Sequence, residues 1–443
     1  MNMPPSLQQG IDQAGSPIKL LWKPAFPAWK PPVIPDEFVG WREEQAASYD
    51  GVGFSDLSHH MRDLFIEGPD ATRLLSEVSA NNYESFAIDQ AKQFVPVTED
   101  GLIVQDGILL RESENRYVLS GPPASQNWVL WNAEQGGYDV EFVDDVDSQF
   151  RPGGGPPVLF RYQVQGPQAL ALVEQVFGGP LPETKFFHST LVTLDGREFR
   201  ALRHGMAGQP GYEFIGDWKH AEYVKDALLR AGEDHGLIQI GALAYSTNGI
   251  ESGWIPTPTP AIYTDPKLQA YREWLPIFSF EGQRGIHGTD YSENIEDFYV
   301  SPYELGYGRS ISFDHDFIGR DALQQRKDDV RRTKATLELD ADDARATVGD
   351  DFWNSYARYR IEVDGEPTGM TFYTARIARH GTVLALSLVD TTHAEPGTAV
   401  TLVFGEHPGP AANGDAEAGF TRLRATVQPS PYDAFARTEY RKD

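Results

Sequence analysis

One short segment of this chain occurs twice. Ile66-Glu67-Gly68-Pro69-Asp70-Ala71 runs on to Leu74, Leu75 and Val78, and Val164-Gln165-Gly166-Pro167-Gln168-Ala169 runs on to Leu172, Val173 and Val176. The two copies match position for position at an offset of 98 residues. Each reads as a strand, a glycine turn, and a proline in the first helical turn, where its missing N–H is harmless. A helix follows, with apolar residues at i, i+3, i+4 and i+7. A strand-turn-helix unit used twice predicts two related α+β lobes packed together.

The rest of the chain is read around that repeat. Gln93 to Val97, Gly101 to Leu110 and Arg116 to Ser120 read as strands of a meander. Lys219 to Ala231 reads as an amphipathic helix, with Ala221, Val224, Leu228 and Leu229 on one side. Trp254 to Tyr303, dense in proline and aromatics, reads as a long packed loop region, and Arg320 to Arg326 as a short helix opened by Gly319. From Lys334 onward, five β-rich runs between turn residues predict an all-β C-terminal module. They are Ala335 to Leu339, Tyr356 to Val363, Thr382 to Val389, Ala399 to Phe404 and Arg422 to Val427. The first 35 residues read as an extended arm lying on the body. Pro24, Pro27, Pro31, Pro32 and Pro35 there interrupt Trp22, Phe26 and Trp29, and proline blocks helix and ladder bonding.

Composition narrows the chemistry. There are no cysteines, which removes disulfides, thiolate metal sites, iron–sulfur clusters and a cysteine nucleophile. The net charge is −27; such a surface repels nucleic acid and anionic membranes. No apolar run approaches the roughly 18 residues that span a bilayer, and the N-terminus lacks the pattern of a secretion signal. A cytoplasmic enzyme is expected, without metal. His59 and His60 are adjacent and cannot share one helix face as metal ligands. No Gly-x-Ser-x-Gly elbow is present.

Two ensembles carry chemistry. Arg203-His-Gly-Met-Ala-Gly-Gln-Pro-Gly211 is a glycine-rich turn leading into a strand, where Glu213 sits between Tyr212 and Phe214. A carboxylate there is costly to bury without a donor; taken alone, it also fits a solvent-facing edge. Gly241-Ala-Leu-Ala-Tyr245 through Glu251-Ser-Gly-Trp254 brings a phenol, a carboxylate and an indole close together in sequence.

With these segments in view, the chain resembles the aminomethyltransferase (glycine-cleavage T-protein) superfamily. The matching pieces are Gly51 to Met61, Ile66 to Ala71, Gly101-Leu-Ile-Val-Gln-Asp106, Gly211-Tyr-Glu-Phe214 and Asp316 to Leu323. Ser58-His-His-Met61, Ala91 to Val97, Leu202 to Gly208, Glu251 to Pro256, Pro260 to Tyr263 and Tyr271 to Pro276 are similar to the tetrahydrofolate-dependent aromatic O-demethylases of the vanillate and syringate type. The resemblance implies an α+β fold of two related lobes forming a folate site, plus a C-terminal β-barrel-like domain. It implies an arm over 1–38, a folate-binding region over 39–285, a connecting segment over 286–333 and the barrel over 334–443.

It also implies tetrahydrofolate as cofactor and a small methoxylated aromatic as substrate. A donor bearing an S-methyl or N-methyl group, or a non-catalytic folate-binding role, stays open. Glu213 matches the pterin-binding glutamate, Trp254 an aromatic that closes over the cofactor, and Asp106 a family aspartate; Tyr212 joins them. Glu251 matches a family glutamate that could be structural. Tyr245 stands where the O-demethylases use a catalytic tyrosine, with His60 as its catalytic partner and His59 beside the substrate. An unperturbed tyrosine acidity close to that of a leaving phenol would allow near-isoenergetic proton sharing. Three positions depart from the vanillate-type pattern: Pro122 replaces an arginine, Leu57 a glutamine and Pro31 a tyrosine. With Ser120 they are expected to face the substrate, which implies a less polar or differently charged methoxyarene than vanillate.

Overall fold

The computed structural model describes residues 5–83, 85–411, 416–417 and 419–442. Both repeat copies form the expected unit. Strand Arg62–Glu67 leads through Gly68 into helix Ala71–Glu77, and strand Leu159–Gln165 through Gly166 into helix Ala169–Phe177. The two glycines are needed for the same reason. Their φ angles are +150° and +132°, and a Cβ at either would sit 2.3 Å from a backbone oxygen, of Asp139 or of Gly51. Pro69 and Pro167 fall just before the helices rather than inside the first turn, with Asp70 and Gln168 as N-caps.

The first copy belongs to a five-stranded sheet ordered Ala91–Phe94, Gly107–Arg111, Arg116–Gly121, Arg62–Glu67 and Glu141–Asp145. The second belongs to a six-stranded sheet ordered Ile238–Gln239, Gly53–Asp56, Leu159–Gln165, Gly211–Asp217, Arg197–Leu202 and Ser189–Leu194. Helices Ala169–Phe177 and Ala221–Glu233 cover one face of the larger sheet over a core of Phe54, Phe160, Tyr162 and Phe214. Its other face turns toward the smaller sheet, where Ala91, Leu110, Leu202 and Ile215 meet.

The C-terminal region closes on itself. Glu366–Ile377 pairs with Arg360–Val363, then follow Ala399–Phe404, Thr421–Gln428, Arg332–Leu339 and Thr382–Asp390, which pairs back to Glu366–Ile377. Closure leaves this six-stranded barrel no edge. Its longest strand, Glu366–Ile377, escapes the sequence reading. Gly365, Pro367 and Gly369 mask its start, a register shift lies between Thr371 and Tyr373, and both of its faces are buried. Alternation, the usual mark of a strand, is lost.

The expected extended arm needs correction. Helices Leu7–Ala14 and Pro17–Leu21 occupy its first part, capped by Ser6 and Ser16. Leu7, Ile11, Ile18 and Leu21 are buried. The dense prolines begin only at Pro24, and from there the backbone carries no helix. Trp22 is anchored by its indole N–H donating to the His407 carbonyl at 2.9 Å. Short helices Gln269–Trp274 and Phe280–Gln283 punctuate the expected loop region. Among the described residues no helix is long and apolar enough to cross a membrane.

Candidate active site

Strands Leu159–Gln165 and Gly211–Asp217 run antiparallel, with Glu213 opposite Gln163. The pleat sends successive side chains to opposite faces. Glu213 therefore faces the smaller sheet, while Tyr212 and Phe214 lie in the core under the helices. Tyr212, expected beside the cofactor, is turned away from Glu213 by that alternation.

Arg161 organises the space around Glu213. Its Nη1 donates to Glu213 Oε1 at 2.8 Å. Its Nη2 donates to Asp63 Oδ1 at 2.9 Å and to Ser120 Oγ at 2.6 Å. The Ser120 hydroxyl donates to Asp63 at 2.5 Å. All four side chains are buried. Burial works against the guanidinium charge, yet Asp63 and Glu213 together hold its pKa above the ordinary value. Ser120, expected at the donor, is thereby placed with Glu213. Sequence reasoning missed Arg161, although Asp63 and Arg161 are 98 residues apart. They are equivalent positions of the repeat, so an ion pair between equivalents joins the two lobes.

Ser120, Arg161 and Glu213 line a cavity between the sheets with Met61, Ile108, Leu110, Leu202, His204, Met206 and Ile215. Both ring nitrogens of His204 are buried without a hydrogen-bond partner, as is Nε2 of Gln163. Burial lowers the His204 pKa and keeps the ring neutral.

A second group surrounds Asp106. Oδ2 accepts from Trp254 Nε1 at 2.8 Å, Tyr307 Oη at 2.7 Å and Gln93 Nε2 at 2.5 Å, and Oδ1 accepts from Gln105 Nε2 at 3.0 Å. A carboxylate offers about four acceptor sites. Asp106 is filled by protein donors, and burial raises its pKa. Its visible work is to fix the Trp254 indole. Tyr307 was not predicted; it lies far along the chain with no local motif around it.

Tyr245 sits in a third group with Leu57, Ile240, Ala244 and Met206. Its hydroxyl lies 3.0 Å from His60 Nε2, and the two rings are 4.9 Å apart. Burial, reinforced by the Glu213 charge, raises the Tyr245 pKa well above its ordinary value. Burial pushes His60 down to about 3. His60 Nδ1 has no partner. Trp29 of the arm packs on His60 at 5.4 Å.

His59 is not part of this group. Its Nδ1 pairs with Ser148 Oγ at 3.0 Å, its ring meets Trp218, and it lines an outer pocket with Asp56, Lys225 and Phe38. Pro31 is buried in the arm. Pro122 caps helix Pro123–Gly136, with its carbonyl accepting from the Ser125 hydroxyl. Glu251 accepts from Arg379 Nε at 2.9 Å and lies 2.7 Å from His380 Nε2, so it ties this region to the barrel.

A family model, the GCVT N-terminal domain, matches residues 24–260. Syringate O-demethylase of Sphingobium sp. (strain NBRC 103272 / SYK-6) is 35% identical over 99% of this chain and 98% of its own. Sesamin methylene transferase of Sinomonas sp. (strain No.22) is 26% identical over 90% of each. The crystal structure of glycine cleavage system aminomethyltransferase T from Bartonella henselae superposes with a TM-score of 0.60 at 19% identity, covering 96% of both chains. That last likeness speaks for the fold, and it is the fold of paired lobes and barrel described above. Repeat, sheets, family model and full-length relatives agree: this chain belongs to the GCVT aminomethyltransferase family.

Proposed function

We propose that this protein transfers a methyl group from a methoxylated aromatic compound to N5 of tetrahydrofolate. The products are a phenol and 5-methyltetrahydrofolate. The observation that carries the reading is the Tyr245–His60 pair, set among apolar side chains beside the cavity that holds Glu213. The full-length similarity to a syringate O-demethylase supports the same chemistry.

The residues present fit the cofactor. The pterin offers adjacent N–H groups, and Glu213 keeps acceptor capacity beyond the Arg161 contact. The unpartnered nitrogens of His204 and Gln163 supply polar groups that nothing in the protein satisfies, a cost that a bound polar ring removes. The Trp254 indole, fixed by Asp106, offers a flat apolar surface. When bound, tetrahydrofolate supplies the nucleophilic nitrogen. The ether C–O bond would break on the methyl side, the methyl group would replace the proton on N5, and that proton would balance the one taken up by the phenolate.

Phenolate is a poor leaving group, so a donor at its oxygen lowers the barrier. With its proton on Nε2, His60 donates to the Tyr245 oxygen and leaves the Tyr245 O–H free to point at the ether. Burial makes tyrosinate expensive here. The acidity match expected from the sequence therefore holds only for a leaving phenol buried to the same depth. Tyr245 acts first as a hydrogen-bond donor, with Leu57 and Ile240 packed around it.

The same reading divides the chain into an arm over 1–38, a folate-binding region over 39–285, a connector over 286–333 and the barrel over 334–443. A net charge of −27 favours a small-molecule partner over nucleic acid. The test is a panel of O-methyl, S-methyl and N-methyl aromatic donors incubated with tetrahydrofolate and read by mass spectrometry. 5-Methyltetrahydrofolate should form with methoxyarenes; its formation only with S-methyl or N-methyl donors would overturn the reading.

A further inference from the structure

Among the described residues, two arginines where the lobes meet the barrel make no ion pair. Arg284 is 8% exposed and Arg358 is 3% exposed. Both donate to one neutral acceptor, the Thr257 carbonyl, Arg358 at 2.9 Å. Arg358 also donates to the Tyr356 carbonyl at 2.8 Å and lies over the Phe372 ring. The Nε groups of both arginines, and the hydroxyls of Thr257 and Thr259, are buried without partners.

Among the described residues no carboxylate reaches ion-pair distance of either guanidinium. The Glu281 charge favours the charged form of Arg284, but Glu281 accepts from Asn127 at 3.0 and 3.1 Å. The Asp290 charge favours the charged form of Arg358 without an ion pair, and burial raises the Asp290 pKa to about 6. Desolvation lowers the pKa of both arginines, that of Arg284 to about 10, and the Arg284 charge lowers that of Arg358 further. Buried charges are normally paired, and an unpaired one is strongly destabilising. Two like charges sharing one carbonyl describe half of a site.

The pair stands close to the proposed reaction centre. Tyr356 packs on Tyr373 at 5.1 Å, and the Tyr373 hydroxyl donates to the carbonyl of Ser246, next to Tyr245. Thr257 follows Trp254 by three residues. Gly285, beside Arg284, lies against Phe26 of the arm that carries Trp29. Planar guanidinium groups with free N–H donors match a carboxylate.

We infer that Arg284 and Arg358, with Thr257 and Thr259, form an anion site for an organic carboxylate of the reactants. The first source is the carboxylate of an aromatic acid donor, which makes the preferred substrate a methoxybenzoate despite the loss of charge at Pro122. The second source is the glutamate carboxylate of the folate. The inference rests on the proposed function, and the experiment separates the two.

In the wild-type protein, 4-hydroxy-3-methoxybenzoate should bind about tenfold or more tightly than the matching benzamide, since charge-assisted hydrogen bonds are worth that much. Thermal shift reads this without turnover, so the site is tested even if no methyl group moves. Arg284→Met should then lower the benzoate-to-benzamide ratio of kcat/KM toward one. If the donor ratio holds but Arg284→Met weakens tetrahydrofolate and not a tetrahydropterin lacking the glutamate, the site belongs to the cofactor tail. Equal binding of benzoate and benzamide to the wild type, together with unchanged folate binding in Arg284→Met, would overturn the site.

Discussion

The surroundings of Glu213 and those of Tyr245 are built in opposite ways. Around Glu213, one arginine binds two carboxylates and a hydroxyl, and each partner is held from a different strand. Around Tyr245, one histidine touches one phenol within a wall of Leu57, Ile240, Ala244 and Met206. A connected buried polar network fixes geometry, because each member is costly to leave unpaired. An apolar wall is satisfied by any shape that fills it. On the proposed reading, the cofactor half is therefore set by the fold, and the donor half is free to change between relatives. Of the three replaced positions, Leu57 falls in that apolar wall, whereas Pro122 caps a helix and Pro31 is buried in the arm.

The sharpest break of this contrast is Arg161→Met. It leaves Asp63 and Glu213 buried without their cation, and removing one partner of a buried pair costs about 3–5 kcal/mol. Chemical denaturation should show a loss of that order. A loss below about 1 kcal/mol would mean that the network is not what joins the lobes.

Tyr245→Phe removes one hydroxyl from the less connected side. The rate constant of methyl transfer should fall by about 10²–10⁴, the usual reach of acid–base assistance. Affinity for tetrahydrofolate should stay the same, because the lost interaction belongs to the transition state. Weaker folate binding with an intact single-turnover rate would move Tyr245 to the cofactor side.

Glu213→Gln keeps shape and loses charge. A hydrogen bond to a charged group contributes about 1.5–3 kcal/mol, so titration calorimetry should show tetrahydrofolate binding about ten- to a hundredfold more weakly. An unchanged affinity would leave Glu213 as a structural partner of Arg161 alone.

The last effect is a pH dependence that vanishes at neutral pH. His60 is held at about 3, below its unfolded value near 6.5. The native state refuses a proton that the unfolded state takes, so this contribution to stability is complete above about pH 6.5 and declines as pH falls toward 3. His59 and His204 are shifted in the same direction by burial. In melting experiments His60→Gln should flatten the acid limb by at most about 1.4 kcal/mol per pH unit. A parallel limb would place His60 in contact with water.

The repeat was legible because a glycine turn and a 3.6-residue apolar face leave strong local marks. The barrel was legible in part. Its strand Glu366–Ile377 was hidden by early glycine and proline and by burial on both faces. At the site, Glu213 and Tyr245 stand in motifs, but their partners come from elsewhere. Arg161 is one charge in an apolar strand, Tyr307 has no motif, and Trp29 reaches His60 only through the path of the arm. Tyr212 shows the opposite error: sequence neighbours on a strand face apart, so nearness to Glu213 in the chain meant distance in space.

The central claim is that an intact methyl group passes from an ether oxygen to tetrahydrofolate. A methoxyarene carrying a CD3 ether group, reacted once with the protein and tetrahydrofolate and read by mass spectrometry, tests it directly. The account predicts 5-methyltetrahydrofolate retaining all three deuterium atoms, in equal amount with the phenol. A folate product carrying two deuterium atoms would show one-carbon transfer at the methylene level and would contradict it.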